Sequence, residues 1–172
     1  MSIREGEADR EVTQLLYVSV STADVSSGLQ MSDILAEARP ANARDDITGV
    51  LTAVSGRFVQ IIEGEAKALD GLLVRLGGDR RHTDIRIRER RTVRHRMFGD
   101  WDMVSPRLAP VEILQIGMLI DDDDAGLDEF ADALRRALNR QGAVIEGRTG
   151  LDTAGLDAPP APTGAASKSR TT

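Results

Sequence analysis

Residues 47–62 read ITGVLTAVSGRFVQII, two short runs rich in β-branched and apolar residues on either side of Ser55-Gly56. Two such runs around a glycine-bearing dipeptide predict a β-hairpin, with strands at Ile47–Val54 and Arg57–Ile62. Upstream, Val12–Val20 (VTQLLYVSV) reads as a buried first strand and Ser21–Val25 as the turn out of it. Ser27 stands three positions before Gln30, a capping-box spacing. Met31, Ile34, Leu35 and Ala38 then recur at helical intervals as far as Pro40, which is expected to stop the helix. Downstream of Gly64, Leu69, Leu72, Leu73 and Leu76 mark one face of a second helix. Gly77-Gly78 is expected to end it, through glycine's tolerance of the left-handed cap conformation. Ile85 and Ile87 alternate with arginines as a half-exposed strand, and Trp101–Val104 offers a fifth. The order strand, helix, strand, strand, helix, strand predicts an α+β fold, a ferredoxin-like sheet with two helices on one face.

Beyond Pro106 and Pro110, Val111–Ile120 is apolar, and Leu127, Phe130, Leu134 and Leu138 form a further helical stripe. These C-terminal helices are expected to cover the other face of the sheet. Asp121–Asp124 lie just before the second stripe, where negative charge complements a helix N-terminus. From Gln141 onward the chain is rich in Gly, Ala, Thr and Pro, which predicts disorder. The expected organisation is a flexible 1–10, a folded domain over 11–105, a helical extension over 106–140 and a disordered tail over 141–172.

A length of 172 residues suits a single core. A net charge of -6 supplies no global steering toward nucleic acid or anionic membranes. With no cysteine and two histidines, His82 and His95, thiolate chemistry and histidine-rich metal sites are excluded. There is no glycine-rich dinucleotide fingerprint and no P-loop, so nothing predicts an enzyme. No run has the length of a membrane-spanning helix and Met1–Arg10 carries no apolar segment, which predicts a cytoplasmic protein without a membrane partner.

Gln60 is the most informative single residue, an isolated amide between Val59 and Ile61 in an apolar strand. Tyr17, the one tyrosine, reads by itself as a core residue. Asn42 by itself reads as a backbone partner where the first helix ends. Four clusters change these readings: LLYVS around Tyr17, NARDDITG from Asn42, FVQIIEG around Gln60 and FGDWDM ending at Met103. Together, in this order and spacing, they resemble the BLUF family of flavin-binding blue-light receptors. The resemblance implies that Tyr17 is the electron-donating tyrosine and that Gln60 hydrogen-bonds both that tyrosine and the flavin. It also implies that Asn42 binds the polar pyrimidine edge of the flavin ring. Arg75 and the Asp79–His82 segment (DRRH) align with family positions at and after the second helix, which makes Arg75 and Asp79 cofactor-binding candidates, Arg75 on the ribityl or phosphate side. Trp101 and Met103 fall in the family's variable switch region, and which of them faces inward is left open. The implied cofactor is FAD, with FMN or riboflavin as alternatives. In the implied mechanism, light-driven electron and proton transfer from the tyrosine leaves the glutamine's hydrogen bonds rearranged. Output then passes to an unidentified downstream protein or through homo-oligomerisation.

The alternative is a nucleic-acid or protein-binding module using the basic segment 86–96, where Arg86, Arg88, Arg90, Arg91, Arg94 and Arg96 cluster. Phosphate neutralisation suits such a run, but ferredoxin-like RNA-binding modules also stack bases on exposed aromatics. Phe58 is the evident candidate in the hairpin, so nucleic acid ranks below the flavin reading. The bland reading is that these arginines form a solvated strand face paired with acidic surface elsewhere.

Overall fold

A computed structural model describes residues 11–22, 28–99 and 101–151. The elements run β1 (Val12–Ser21), α1 (Gly28–Arg44), β2 (Thr48–Val54), β3 (Arg57–Gly64), α2 (Ala66–Gly77), β4 (His82–Val93), α3 (Pro110–Asp121) and α4 (Leu127–Leu151). The strands form one sheet in the order β2-β3-β1-β4, every neighbouring pair antiparallel. This is the expected ferredoxin-like arrangement. Ser55 and Gly56 both take positive φ, 51° and 74°, the type I′ geometry whose twist matches paired strands. At Gly49 a Cβ would lie 2.2 Å from the Ile61 carbonyl oxygen, so β2 approaches β3 closely only because that side chain is missing.

Alternation along the strands divides the core in two. Leu15, Tyr17, Leu51, Phe58 and Ile62 point to one face and pack with Ile34 and Leu35 of α1 and Leu69 and Leu72 of α2. Leu16, Val18, Val50, Val59 and Ile61 point to the other and pack with Ile116 and Ile120 of α3 and Leu127, Phe130 and Leu134 of α4. The C-terminal helices therefore cover the second face, as their apolar stripes predict.

Several local expectations are corrected. Pro40 does not stop α1, which continues to Arg44. Pro40 and Ala36 are both exposed, so the carbonyl that loses its partner at Pro40 can be served by solvent. The glycines do end α2, but Gly78 keeps right-handed values, φ -91° and ψ -8°, rather than a left-handed cap. Trp101–Val104 forms no full strand. A single parallel bridge joins Val104 to Val50 on the outer edge of β2, with backbone bonds Gly49 N–H to Trp101 O and Leu51 N–H to Val104 O. α4 runs past 140 to Leu151. The proposed cap at Ser27, the segment 1–10 and the tail beyond 151 lie outside the described residues.

The aspartates before α4 serve arginines of the sheet: Asp121 pairs with Arg57 at 2.7 Å and Asp123 with Arg88 at 3.7 Å. The N-terminal amide of α4 is instead capped from β4, Leu127 N–H donating to Glu89 Oε2 at 2.7 Å.

Candidate functional site

Antiparallel register sets Tyr17 of β1 directly opposite Gln60 of β3, and Leu51 of β2 opposite Gln60 on its other side. All three face the α1 and α2 side of the sheet. Tyr17 is fully buried and Gln60 nearly so. The Tyr17 hydroxyl donates to Gln60 Oε1, and Gln60 Nε2 reaches Met103 Sδ at 3.2 Å. Burial, and secondarily the negative charge of Asp79, pushes the Tyr17 phenol above its ordinary value, so it stays protonated.

Because α1 continues through Pro40, Asn42 sits on its inward face, four residues after Ala38 and seven after Leu35. The side chain is 1% exposed, and neither its Nδ2 nor its Oδ1 has a partner. An amide buried with both ends unpaired is costly, about 1–3 kcal/mol per group. Such cost persists where something outside the polypeptide satisfies it. Beside Asn42 lies a cavity of about 180 Å³ whose walls include Tyr17, Gln60, Leu51, Leu72, Arg75 and Asp79. Five sequence candidates, Tyr17, Asn42, Gln60, Arg75 and Asp79, thus share one cavity. A planar apolar ring with a polar edge fits this lining: aliphatic walls from both helices, and an amide edge offering one free donor and one free acceptor.

Arg75 is half-exposed and pairs with Asp45 at 3.2 Å. Both carboxylate oxygens of Asp79 are taken by Arg81, at 2.8–3.0 Å, which holds the Asp79 carboxyl below its ordinary range. What Asp79 offers a ligand is therefore a positioned Arg81. Arg81 and His82 also line the cavity, and neither was singled out as a cofactor-binding residue from the sequence. The signal available was the local DRRH pattern, an acid two residues before a base. His82 stacks on Phe58 with ring centroids 4.4 Å apart, and its Nδ1 lies 2.9 Å from Ser19 Oγ. Desolvation first, and Arg81 with it, lowers the His82 pKa against the opposing pull of Asp79.

The two switch-region residues part company. Met103 joins the cavity-side core, whereas Trp101 packs on the opposite core against Phe98, centroids 6.2 Å apart. Phe58, the one aromatic suggested for base stacking, is fully buried. Within the basic segment, Arg86 pairs with Asp84, Arg88 with Asp123, Arg90 with Asp70, Arg91 with Glu89 and Asp128, and Arg96 with Asp46. Five of the segment's six arginines are thus paired with acids, which weakens the phosphate-binding reading.

Residues 12–104 match the family model described as BLUF, sensors of blue light using FAD. The chain belongs to the BLUF family. Photoactivated adenylate cyclase subunit beta of Euglena gracilis is 36% identical over 98 residues, 56% of this chain and 11% of that protein. The chain thus spans about a tenth of the length of the curated relatives it matches. Among solved structures, BlsA in its ground state superposes with a TM-score of 0.61 at 27% identity, covering 72% of this chain and 87% of that one. The dark state of BlrB, a BLUF protein, gives 0.57 at 30% identity, covering 72% and 96%. BLUF domains are flavin-binding photosensory modules and not catalysts, and they signal through a tyrosine–glutamine hydrogen-bond network. No helix among the described residues is long and apolar enough to cross a membrane.

Proposed function

We propose that this BLUF chain binds FAD in the cavity between α1, α2 and the sheet, and reports blue light through Tyr17, Gln60 and Met103. The observation that carries the reading is Asn42, whose two buried, unpartnered polar atoms border the same cavity as the Tyr17–Gln60 hydrogen bond. A bound flavin supplies the blue-light absorption and an electron-accepting ring. The residues supply the rest. Asn42 offers its amide to the polar ring edge, and Arg75 with Arg81, held by Asp79, offers positive charge toward the phosphates. Tyr17, kept protonated by burial, holds an electron and a proton ready at Oη. Gln60 presents oxygen to Tyr17 and nitrogen to Met103 Sδ, and rotating its amide exchanges those roles. A thioether is a weak acceptor, so little holds the nitrogen where it is.

Met103 then senses the amide directly, and Trp101, two residues away along the bridge to β2, carries the change to the face covered by α3 and α4. Output passes through a partner protein or a second copy; Val111, Leu114 and Met118 of α3 are exposed apolar residues on one helical face that suit such a contact. We extend the proposal to a cytoplasmic location, which cell fractionation tests.

The deciding measurement is the absorption spectrum of flavin-loaded protein before and after blue light. The expected result is a reversible shift to longer wavelength. Tyr17→Phe should retain flavin and lose the shift, and Gln60→Leu should lose it as well. A Tyr17→Phe protein with the wild-type light-minus-dark spectrum would remove Tyr17 from the role of donor.

A further inference from the structure

A second cross-strand row of polar groups lies three residues along β1 and β3 from the Tyr17–Gln60 pair. An odd offset in a strand reverses the face, so this row points toward α3 and α4. Gln14 stands opposite Glu63 of β3 and, on its other side, opposite Arg91 of β4. Glu63 is 0% exposed and Gln14 1%.

The row forms one unbroken chain of hydrogen bonds. Glu63 Oε1 accepts from the Met97 backbone N–H at 2.7 Å and from Gln14 Nε2 at 2.6 Å. Glu63 Oε2 accepts from the Phe98 N–H at 2.8 Å. Gln14 Oε1 accepts from Arg91 Nε at 2.8 Å. The remaining nitrogens of Arg91 grip both oxygens of Asp128, in the first turn of α4, at 3.0 and 2.6 Å. One end of the chain therefore holds the start of the segment that carries Trp101 and Met103, and the other holds the start of α4.

Replacing buried charged groups by apolar residues of similar volume is often neutral or stabilising, so a fully buried carboxylate is weak evidence of a role in stability alone. Its value lies in direction. Glu63 accepts two consecutive backbone N–H groups, which only one placement of 97–98 can deliver. If that segment shifts, the carboxylate loses two donors at once and must draw on Gln14, whose amide is shared with Arg91. Arg91 already has a second acid within reach, Glu89 at 3.3 Å, so its grip on Asp128 has an alternative to move to. Unlike the Tyr17 row, this row touches no wall of the cavity.

We infer that Glu63 and Gln14 are positioning residues that couple the 97–104 segment to α4, passing a light-driven shift of that segment through Arg91 to Asp128. The inference rests on the photoreceptor reading above.

The test is hydrogen exchange at the first turn of α4, in dark and light, on the flavin-loaded full chain, with absorption spectra of the same samples. Wild type should show both the red shift and a light-dependent exchange difference at 127–131. Glu63→Gln, which replaces an acceptor oxygen by a donor facing other donors, should keep the red shift and shrink the exchange difference by about fivefold or more. Asp128→Asn should do the same at an exposed site remote from the core, and Asp128→Glu should restore the difference. If Glu63→Gln does not fold, Asp128→Asn decides. A wild-type exchange difference in Asp128→Asn overturns the relay, as does a red shift in wild type with no exchange difference at α4. Loss of the red shift in Glu63→Gln also overturns it, because Glu63 would then belong to the chromophore network. A wild type with no red shift at all is the distinct outcome in which the photoreceptor reading fails.

Discussion

The two faces of the sheet are built from the same strands and finished differently. On the α1 and α2 face, Tyr17 and Gln60 are joined to each other, Gln60 ends on a weak sulfur acceptor, and Asn42 has no partner. On the α3 and α4 face, Glu63, Gln14, Arg91 and Glu89 are each satisfied by the protein itself, the last by Leu127 N–H of α4. Buried polar atoms left short of partners mark where a ligand completes the fold, and buried polar atoms fully served mark where the polypeptide connects its own parts. On the proposed function, the first face is specified jointly by chain and ligand, the second by the chain alone.

Truncating the second face should have the largest effect. Phe130 is fully buried between α4 and the sheet, so Phe130→Ala should destabilise by about 3–5 kcal/mol, read by chemical denaturation. A loss below about 1 kcal/mol would mean that this face is not a packed core and the contrast between faces collapses.

An intermediate effect sharpens the contrast because it changes sign. Asn42→Leu removes two unsatisfied polar atoms, so melting of the flavin-free protein should move upward. The same change should weaken flavin binding by about tenfold to a hundredfold in a fluorescence titration. Lower stability together with unchanged affinity would make Asn42 a structural residue.

The smallest effect concerns pH. The His82 pKa is lowered in the folded protein by desolvation, so its folded value lies below its unfolded one of about 6.5. Above that pH, His82 is neutral in both states and contributes nothing to pH dependence. As pH falls through the unfolded value, the unfolded chain binds the proton first and stability drops until the folded value is reached. Melting temperatures between pH 7.5 and 5.5 should therefore fall more for wild type than for His82→Gln. Equal slopes would show that His82 is as well solvated folded as unfolded.

Much of this architecture is legible in the sequence. The type I′ hairpin is announced by Ser55-Gly56, the two-faced strands by alternation and the helices by their leucine spacing, all of which are local properties of backbone and side chain. Gln60 stands out because an amide in an apolar strand is locally anomalous, and the four clusters in order bring Tyr17 and Asn42 to it. Where local reading failed, a distant contact or solvent decided. Pro40 signals a helix end by its missing N–H, but an exposed turn absorbs that loss and α1 continues, which is what carries Asn42 inward.

By itself the sequence determined the order of elements, the two apolar faces and the resemblance that joins Tyr17, Asn42 and Gln60, because periodicity and motif are written within a few residues. The tertiary structure alone decided that Met103 meets Gln60 while Trp101 faces the other core. That choice depends on the bridge between Val104 and Val50, 54 positions apart in the chain. It alone also decided that Arg90, Arg88 and Arg91 of β4 meet acids of α2, the loop before α4 and α4 itself, and that Glu63, Gln14 and Arg91 form one row. Each of these rests on the register between strands distant in sequence, and register is set by closing the whole sheet against both pairs of helices, which no short window of residues contains.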